Sequence, residues 1–279
     1  MRKIRSCEQT NLQTGGSKCQ IDFGKIKGAI VVERGTKLPA DLSADKLEEL
    51  CHADRPGRVM PILTFVEYEK DGGEPQVSAV GYGGNAVTSV SNLTDKFTLS
   101  KFSEHLNASL LKTMNTPFDV YYFDEKNYIY GVNDGDDLAG IEMSTIYPTA
   151  TMHPTSSAKP ELKVNFSHAD AQSSMENFDY FKADFNVAKA VVGLVGVELV
   201  KTTDNKYKLV ESIGGYDRTA EFGELIADNV SAVLDNVTTA SYDAAGNTLT
   251  LTASKTDVAV TLKKASALYK AGIKGIEQA

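Results

Sequence analysis

The chain has no tryptophan and only three cysteines in 279 residues. It also lacks a long apolar run, an excess of basic residues and any catalytic signature. Each absence narrows the reading. Without tryptophan, the aromatic platform that glycan binders favour is weakened. Cys7, Cys19 and Cys51 are an odd number without Cys-x-x-Cys spacing, so neither a disulfide scaffold nor a zinc site is favoured, although a Gly15-Gly16 turn lies between the first two. The longest apolar run, Ala188 to Val200, is broken by Lys189 and Glu198 and falls short of the ~20 residues a membrane span needs. No membrane span is expected. Met1 to Lys18 is charged and then polar, without the apolar core of a signal peptide, which predicts that the chain does not take the general export route. On that expectation the Asn-x-Ser/Thr sequons at Asn92, Asn107, Asn165, Asn229 and Asn236 are a by-product of composition.

Basic residues number 29 against 37 acidic ones, so the net charge is 29 − 37 = −8. A broad basic footprint for nucleic-acid phosphates is therefore missing. At 42% hydrophobic and 24% charged residues the composition is that of a globular chain. Surface scaling for a chain of this mass buries roughly 73% of the unfolded surface, enough for one large core or two smaller ones.

What is present reads as mostly β. Residues 1–20 form a polar N-terminal arm that orders only against something else. A β-branched strand follows over Lys25 to Glu33, then a short helix capped by Ser43 or Asp41 with Leu47, Leu50 and Cys51 on one face. Val59 to Glu69 alternates as one long strand, with Pro61 marking an edge or an irregular start. Residues 71–92 are rich in glycine and small polar residues yet keep returning to Val77, Val80, Val87 and Val90, which predicts a hairpin arm. Lys96 to Asn115 reads as a helix capped by Ser100, with Phe102, Leu106, Leu110 and Met114 as its stripe. Phe118 to Phe123 and Tyr128 to Val132 flank a polar turn, the strongest hairpin signal in the chain. Their alternate aromatics predict one core face and one face covered by a partner. Strands follow over 141–152 and 161–168, and 171–185 reads as a short helix or an aromatic loop. The pattern then renews itself: strands over 191–201 and 206–213, a helix over 219–235, a hairpin flanking 243–247, an alternating strand over 257–262 and a closing strand within 270–279. The fold class expected is α+β and β-rich: a β-sandwich or barrel-like core with flanking helices, extended arms and a second, smaller β-rich domain. The domains are 1–20 (arm), 21–185 (with the arm at 71–92) and 186–279.

No catalytic, cofactor-binding or metal-binding residue emerges, and no cofactor is expected. Asn133 to Asp137 concentrates oxygen ligands but lacks the spacing of a calcium loop, so it reads as a solvated turn. Gly81 to Asn85 neither opens a helix nor ends in Gly-Lys-Ser/Thr, which excludes a phosphate loop. His52, His105, His153 and His168 are scattered without ligand spacing. There is no Gly-x-Ser-x-Gly elbow. A hydrolase would require some of Asp134, Asp136, His153 and His168 to converge.

The segments Phe118 to Val132 and Ala139 to Tyr147, the helix before them and the arm at 71–92 resemble tail-tube and tail-ring subunits of tailed bacteriophages, in particular phages of gut Bacteroidetes, crAss-like ones included. The resemblance spans about residues 20–185. It implies a non-enzymatic virion structural protein, assembled in the host cytoplasm, whose copies form stacked homo-oligomeric rings or a tube. Its partners would be itself and other tail or connector proteins, and DNA would pass through without specific binding. A capsid-decorating or head–tail connector protein is the alternative of the same class. A surface glycan-binding module is the alternative of another.

Overall fold

The computed structural model describes residues 22–279 apart from 40, 80, 136, 150–153, 155, 157–158 and 256. The N-terminal arm at 1–20, with Cys7 and Cys19, and the residues Asp136 and His153 therefore lie outside the described residues. The chain divides into two compact units, one holding residues up to Leu47 and Val59–Val191, the other Glu48–Arg58 and Val192–Ala279. The expected α+β, β-rich fold is what the structure has.

Among the described residues the first unit carries twelve strands: β1 (Ile26–Glu33), β2 (Met60–Leu63), β3 (Phe65–Gly72), β4 (Pro75–Ala79), β5 (Asn85–Val90), β6 (Leu93–Leu99), β7 (Phe118–Asp124), β8 (Tyr128–Asp134), β9 (Asp137–Ala139), β10 (Ile141–Pro148), β11 (Lys163–His168) and β12 (Phe178–Lys182). Its helices are α1 (Ala44–Cys51), whose last turn passes into the second unit, α2 (Glu104–Thr113), α3 (Ala171–Glu176) and α4 (Val187–Ala190). Ten of the strands form one antiparallel sheet in the order β12-β8-β7-β10-β11-β6-β3, with β1 joining β7 to β2 and β9 pairing β8. Strands β4 and β5 pair only with each other.

Strand β7 is the centre of this sheet, and all seven of its residues are buried. Val120 and Tyr122 point into the main core with Phe97, Ile141 and Phe166. On the other face Tyr121 is enclosed, its hydroxyl donating to Thr36 O and Leu138 O at 3.2 Å. The aromatic hairpin thus has both faces covered by its own chain, not one by a partner. Aromatic rings dominate the core: Phe65 stacks on Phe97 at 4.3 Å, and Tyr122 meets Phe166 edge-on at 5.7 Å. Each such pair is worth about 0.5–1.5 kcal/mol beyond its buried area.

Three local expectations for the first unit change. The strand expected over 59–69 is two strands, because the chain changes partner at Thr64: Leu63 pairs with Gly28 of β1, whereas Phe65 pairs with Leu99 of β6. Pro61 does sit on the edge, since β2 has no second neighbour. The helix expected from Lys96 starts only at Glu104, with Ser103 as its cap accepting from Leu106 N at 3.3 Å. Residues 96–99 are strand, since alternation buries Asp95, Phe97 and Leu99 against the sheet. The 171–185 stretch holds both a helix, α3, and an edge strand, β12.

The second unit has a five-stranded sheet in the order β16-β17-β14-β13-β19, built from β13 (Val195–Thr203), β14 (Lys206–Glu211), β16 (Val237–Asp243), β17 (Thr248–Ala253) and β19 (Ile276–Gln278). Helices α5 (Thr219–Asp228) and α6 (Val230–Val233), the short pair β15 (Leu234–Asp235) and β18 (Thr261–Leu262), and α7 (Ala265–Lys270) complete it. Phe222, Ile226, Leu209, Leu249, Leu251 and Leu268 form its core. The helix expected over 219–235 breaks at Asn229, and the strand expected over 257–262 shrinks to two residues that pair with Leu234 and Asp235. The closing strand is present, running parallel to β13.

Residues 48–58 are stitched into this unit. The Val192 amide donates to Cys51 Sγ at 3.4 Å, Gly275 N donates to His52 Nε2 at 2.9 Å, and the His52 ring stacks on Tyr269 at 4.6 Å. Because Nε2 accepts, Nδ1 carries the proton and gives it to Glu48 O at 2.8 Å. His52 is thus a structural histidine. Burial pushes the Cys51 thiol up to about 11, with the Val192 amide opposing and Glu48 adding to the rise. In a Cys7→Ser/Cys19→Ser variant, Cys51 is expected to resist iodoacetamide at about pH 8 until denaturant is added, as read by mass spectrometry. Rapid labelling of the folded protein would contradict this burial.

Candidate functional site

The long hairpin from β3 to β6 has two halves of opposite character. Its base, β3 on β6, belongs to the large sheet, with register running from Phe65↔Leu99 to Gly72↔Leu93. Beyond Gly72 the ribbon leaves the sheet as β4 and β5. The junction needs glycine: Gly72 has φ +79°, and a Cβ there would lie 1.8 Å from Asn92 O. Gly73 N donates to Asn92 O at 3.1 Å and Ser91 N to Glu74 O at 3.0 Å, so the two chains remain paired through the bend.

Every residue of β4 is exposed, and so is every residue of β5 except Val90. Val77 and Val87 are direct partners, at 56% and 61% exposure, and Tyr82 at the tip is fully exposed at 112%. Pairing places Pro75, Val77, Val87 and Val90 on one face and Gln76, Ser78 and Ser89 on the other. The ribbon is amphipathic, and among the described residues nothing lies over its apolar side. From Pro75 through Thr94 the sequence contains no Asp, Glu, Lys, Arg or His. Exposed strands in monomers normally carry such charges to block pairing with other chains. A lone two-stranded ribbon is also only marginally stable in water. The absence of charge was visible in the sequence and is the signal that composition counts pass over.

At the base of the same hairpin the first unit contains a cavity of about 700 Å³. Phe97, Tyr122 and Ile141 wall it, while Phe23, Val66 and Met175 stand exposed at its rim. Its polar part is a buried cluster centred on Asp95. One carboxylate oxygen accepts from Tyr68 at 2.8 Å, and the other from Tyr122 at 3.1 Å and from His168 Nε2 at 2.7 Å. Burial pushes the phenols of Tyr68 and Tyr122 well above their ordinary range, and the negative charge of Asp95 adds to it. Both therefore remain neutral donors. His168 Nδ1 is buried without a hydrogen-bond partner.

Tyr68, Asp95, Tyr122 and His168 come from β3, β6, β7 and β11, and of these the sequence singles out only His168, as one of the four residues a hydrolase would bring together. The arrangement does not supply a nucleophile and base in contact. Ser174, the serine at this cavity, gives its hydroxyl proton to Asp170 O at 2.6 Å, and the Tyr68 and Tyr122 hydroxyls donate to Asp95. Asp134 and His168, two of the four residues a hydrolase would need together, are not brought together: His168 pairs with Asp95, whereas Lys37 Nζ binds Asp134 at 2.5 Å and approaches Asp137 at 3.6 Å. One lysine thus engages both Asp134 and Asp137. No group of three or more His, Cys, Asp or Glu suited to a metal occurs among the described residues. Within them, no helix is long and apolar enough to cross a membrane. His105 lies exposed on α2. A second, polar cavity of about 310 Å³ is lined by Arg34 and Lys37, but Asp119, Glu142, Asp134 and Asp137 engage these cations.

No protein-family profile and no curated protein matches the chain.

Proposed function

We propose that this chain is a non-enzymatic virion structural protein, a tail-tube or tail-ring subunit of a tailed bacteriophage, whose copies assemble into rings that stack as a conduit for DNA. The observation that carries the reading is the uncharged, amphipathic arm, exposed along its apolar face. Fully burying a valine or tyrosine of this kind is worth about 1.5–3 kcal/mol, so a contact that covers Val77, Val87 and Tyr82 drives association. An arm that meets a different patch on a neighbour makes a heterologous contact, and rotation closes such contacts into rings. The net charge of −8 per chain is multiplied by the number of copies, and like charge along a lumen keeps DNA from adhering to it. Such a subunit reaches the virion from the host cytoplasm and meets other tail or connector proteins there.

Electron microscopy and sedimentation velocity of the purified protein test this. Rings or tubes are the expected result, and a sample that stays monomeric at the highest attainable concentration would overturn it.

A further inference from the structure

We propose that the apolar cavity at the base of the hairpin is the socket for the arm of a second copy, with Tyr82 as the side chain that enters it. This rests on the self-assembly reading and names the two surfaces that meet.

The exposed apolar side chains of the first unit fall into two main groups. Phe23, Val66, Tyr68 and Met175 surround the cavity, and Val77, Tyr82 and Val87 lie on the arm; Leu111 and Met114 on α2 complete the set among the described residues. Two unpartnered apolar surfaces on one chain satisfy each other when copies join head to tail. The arm does not serve its own cavity, because none of the described residues from 74 to 92 lines it. The five residues of β4 alone carry the ribbon about 17 Å past the bend.

The chemistry of the two parts agrees. The tip presents one large side chain between glycines: at Gly81 and Gly84 a Cβ would have nothing within 4 Å. The socket offers ring and aliphatic walls from Phe97, Tyr122 and Ile141 and a polar floor from Asp95 and His168. A phenol has the same division, an apolar ring ending in a hydroxyl. The socket's volume of about 700 Å³ is that of a site for a whole small molecule, which leaves room for the residues that flank the ring. The arm brings no charge from Pro75 to Thr94, so seating it desolvates no ion on the arm's side of the contact. Tip and socket are different patches, so each copy keeps one of each free until a ring closes.

The chain has no tryptophan, so a Tyr82→Trp variant carries a single indole reporter exactly at the tip. Its emission is expected to move to the blue when the protein assembles, as the indole leaves water. Met175→Asp places a charge at the rim on an exposed position, and is expected to raise the concentration required for assembly at least about tenfold while leaving the melting temperature unchanged. If the Tyr82→Trp protein assembles with its emission unshifted, the socket assignment is wrong and its occupant is something else, a small apolar molecule or residues 1–21, while the self-assembly reading stands. If neither wild type nor variant assembles, both fall.

Discussion

Replacing residues 74–91 by a two-residue Asn-Gly turn is expected to leave the first unit folded and to abolish assembly. Gly73 and Asn92 are already hydrogen-bonded neighbours at 3.1 Å, so a tight turn can close the ribbon there without disturbing β3 or β6. The excised strands pair only with each other and bury almost nothing. Their loss is expected to change unfolding free energy by less than about 1 kcal/mol, as befits a lone ribbon. Association should suffer far more. Losing the burial of two valines and a tyrosine removes at least about 4 kcal/mol of driving force per contact, which is roughly a thousandfold in the association constant. Urea melts read the first effect, and sedimentation velocity reads the second as monomers at concentrations where the intact protein forms rings. A shortened protein that still polymerises normally would remove the arm from the mechanism.

Asp95→Ala is expected to destabilise the first unit strongly. Asp95 is 7% exposed and accepts from Tyr68, Tyr122 and His168. Truncation leaves three donors facing a void, two of them on buried residues, and breaking a buried charged network of this kind costs about 3–5 kcal/mol. Asp95→Asn keeps the shape and one acceptor, so its loss should be about half as large. Chemical denaturation followed by tyrosine fluorescence measures both. A loss under about 1 kcal/mol for Asp95→Ala would mean that water replaces the carboxylate and that the cluster is not a structural element of the socket.

Several elements were legible in the sequence because their signals are local. The turn between Phe123 and Tyr128 sets the β7–β8 hairpin, with Asn127 in the left-handed region at φ +65°. The glycines at 72 and 73 and the recurring valines after them foretold a ribbon. The helix is expected too early because Phe102, Leu106, Leu110 and Met114 set a helical period, whereas Phe97 and Leu99 just before them alternate as a strand does. Pairing of Lys96 and Phe97 with Asn165 and Val164 of β11 decides between them, and that pairing is not local. The same holds at Asn229, where the helical pattern continues but β15 must meet β18.

The sequence by itself determined a β-rich chain of net charge −8 without a span-length apolar run, and an arm from Pro75 to Thr94 without a single charge. These are properties of composition and short-range periodicity, which need no tertiary contact. Only the tertiary structure decided that the aromatic hairpin is enclosed by its own chain, that the arm's apolar face is left open, and that a cavity lies at its base. Asp95 and His168 are 73 residues apart, and Tyr122 lies 27 residues from Asp95. Their meeting depends on β11 and β3 flanking β6, a choice of strand order that no local pattern encodes, because sheet pairing is settled by long-range packing of the whole core.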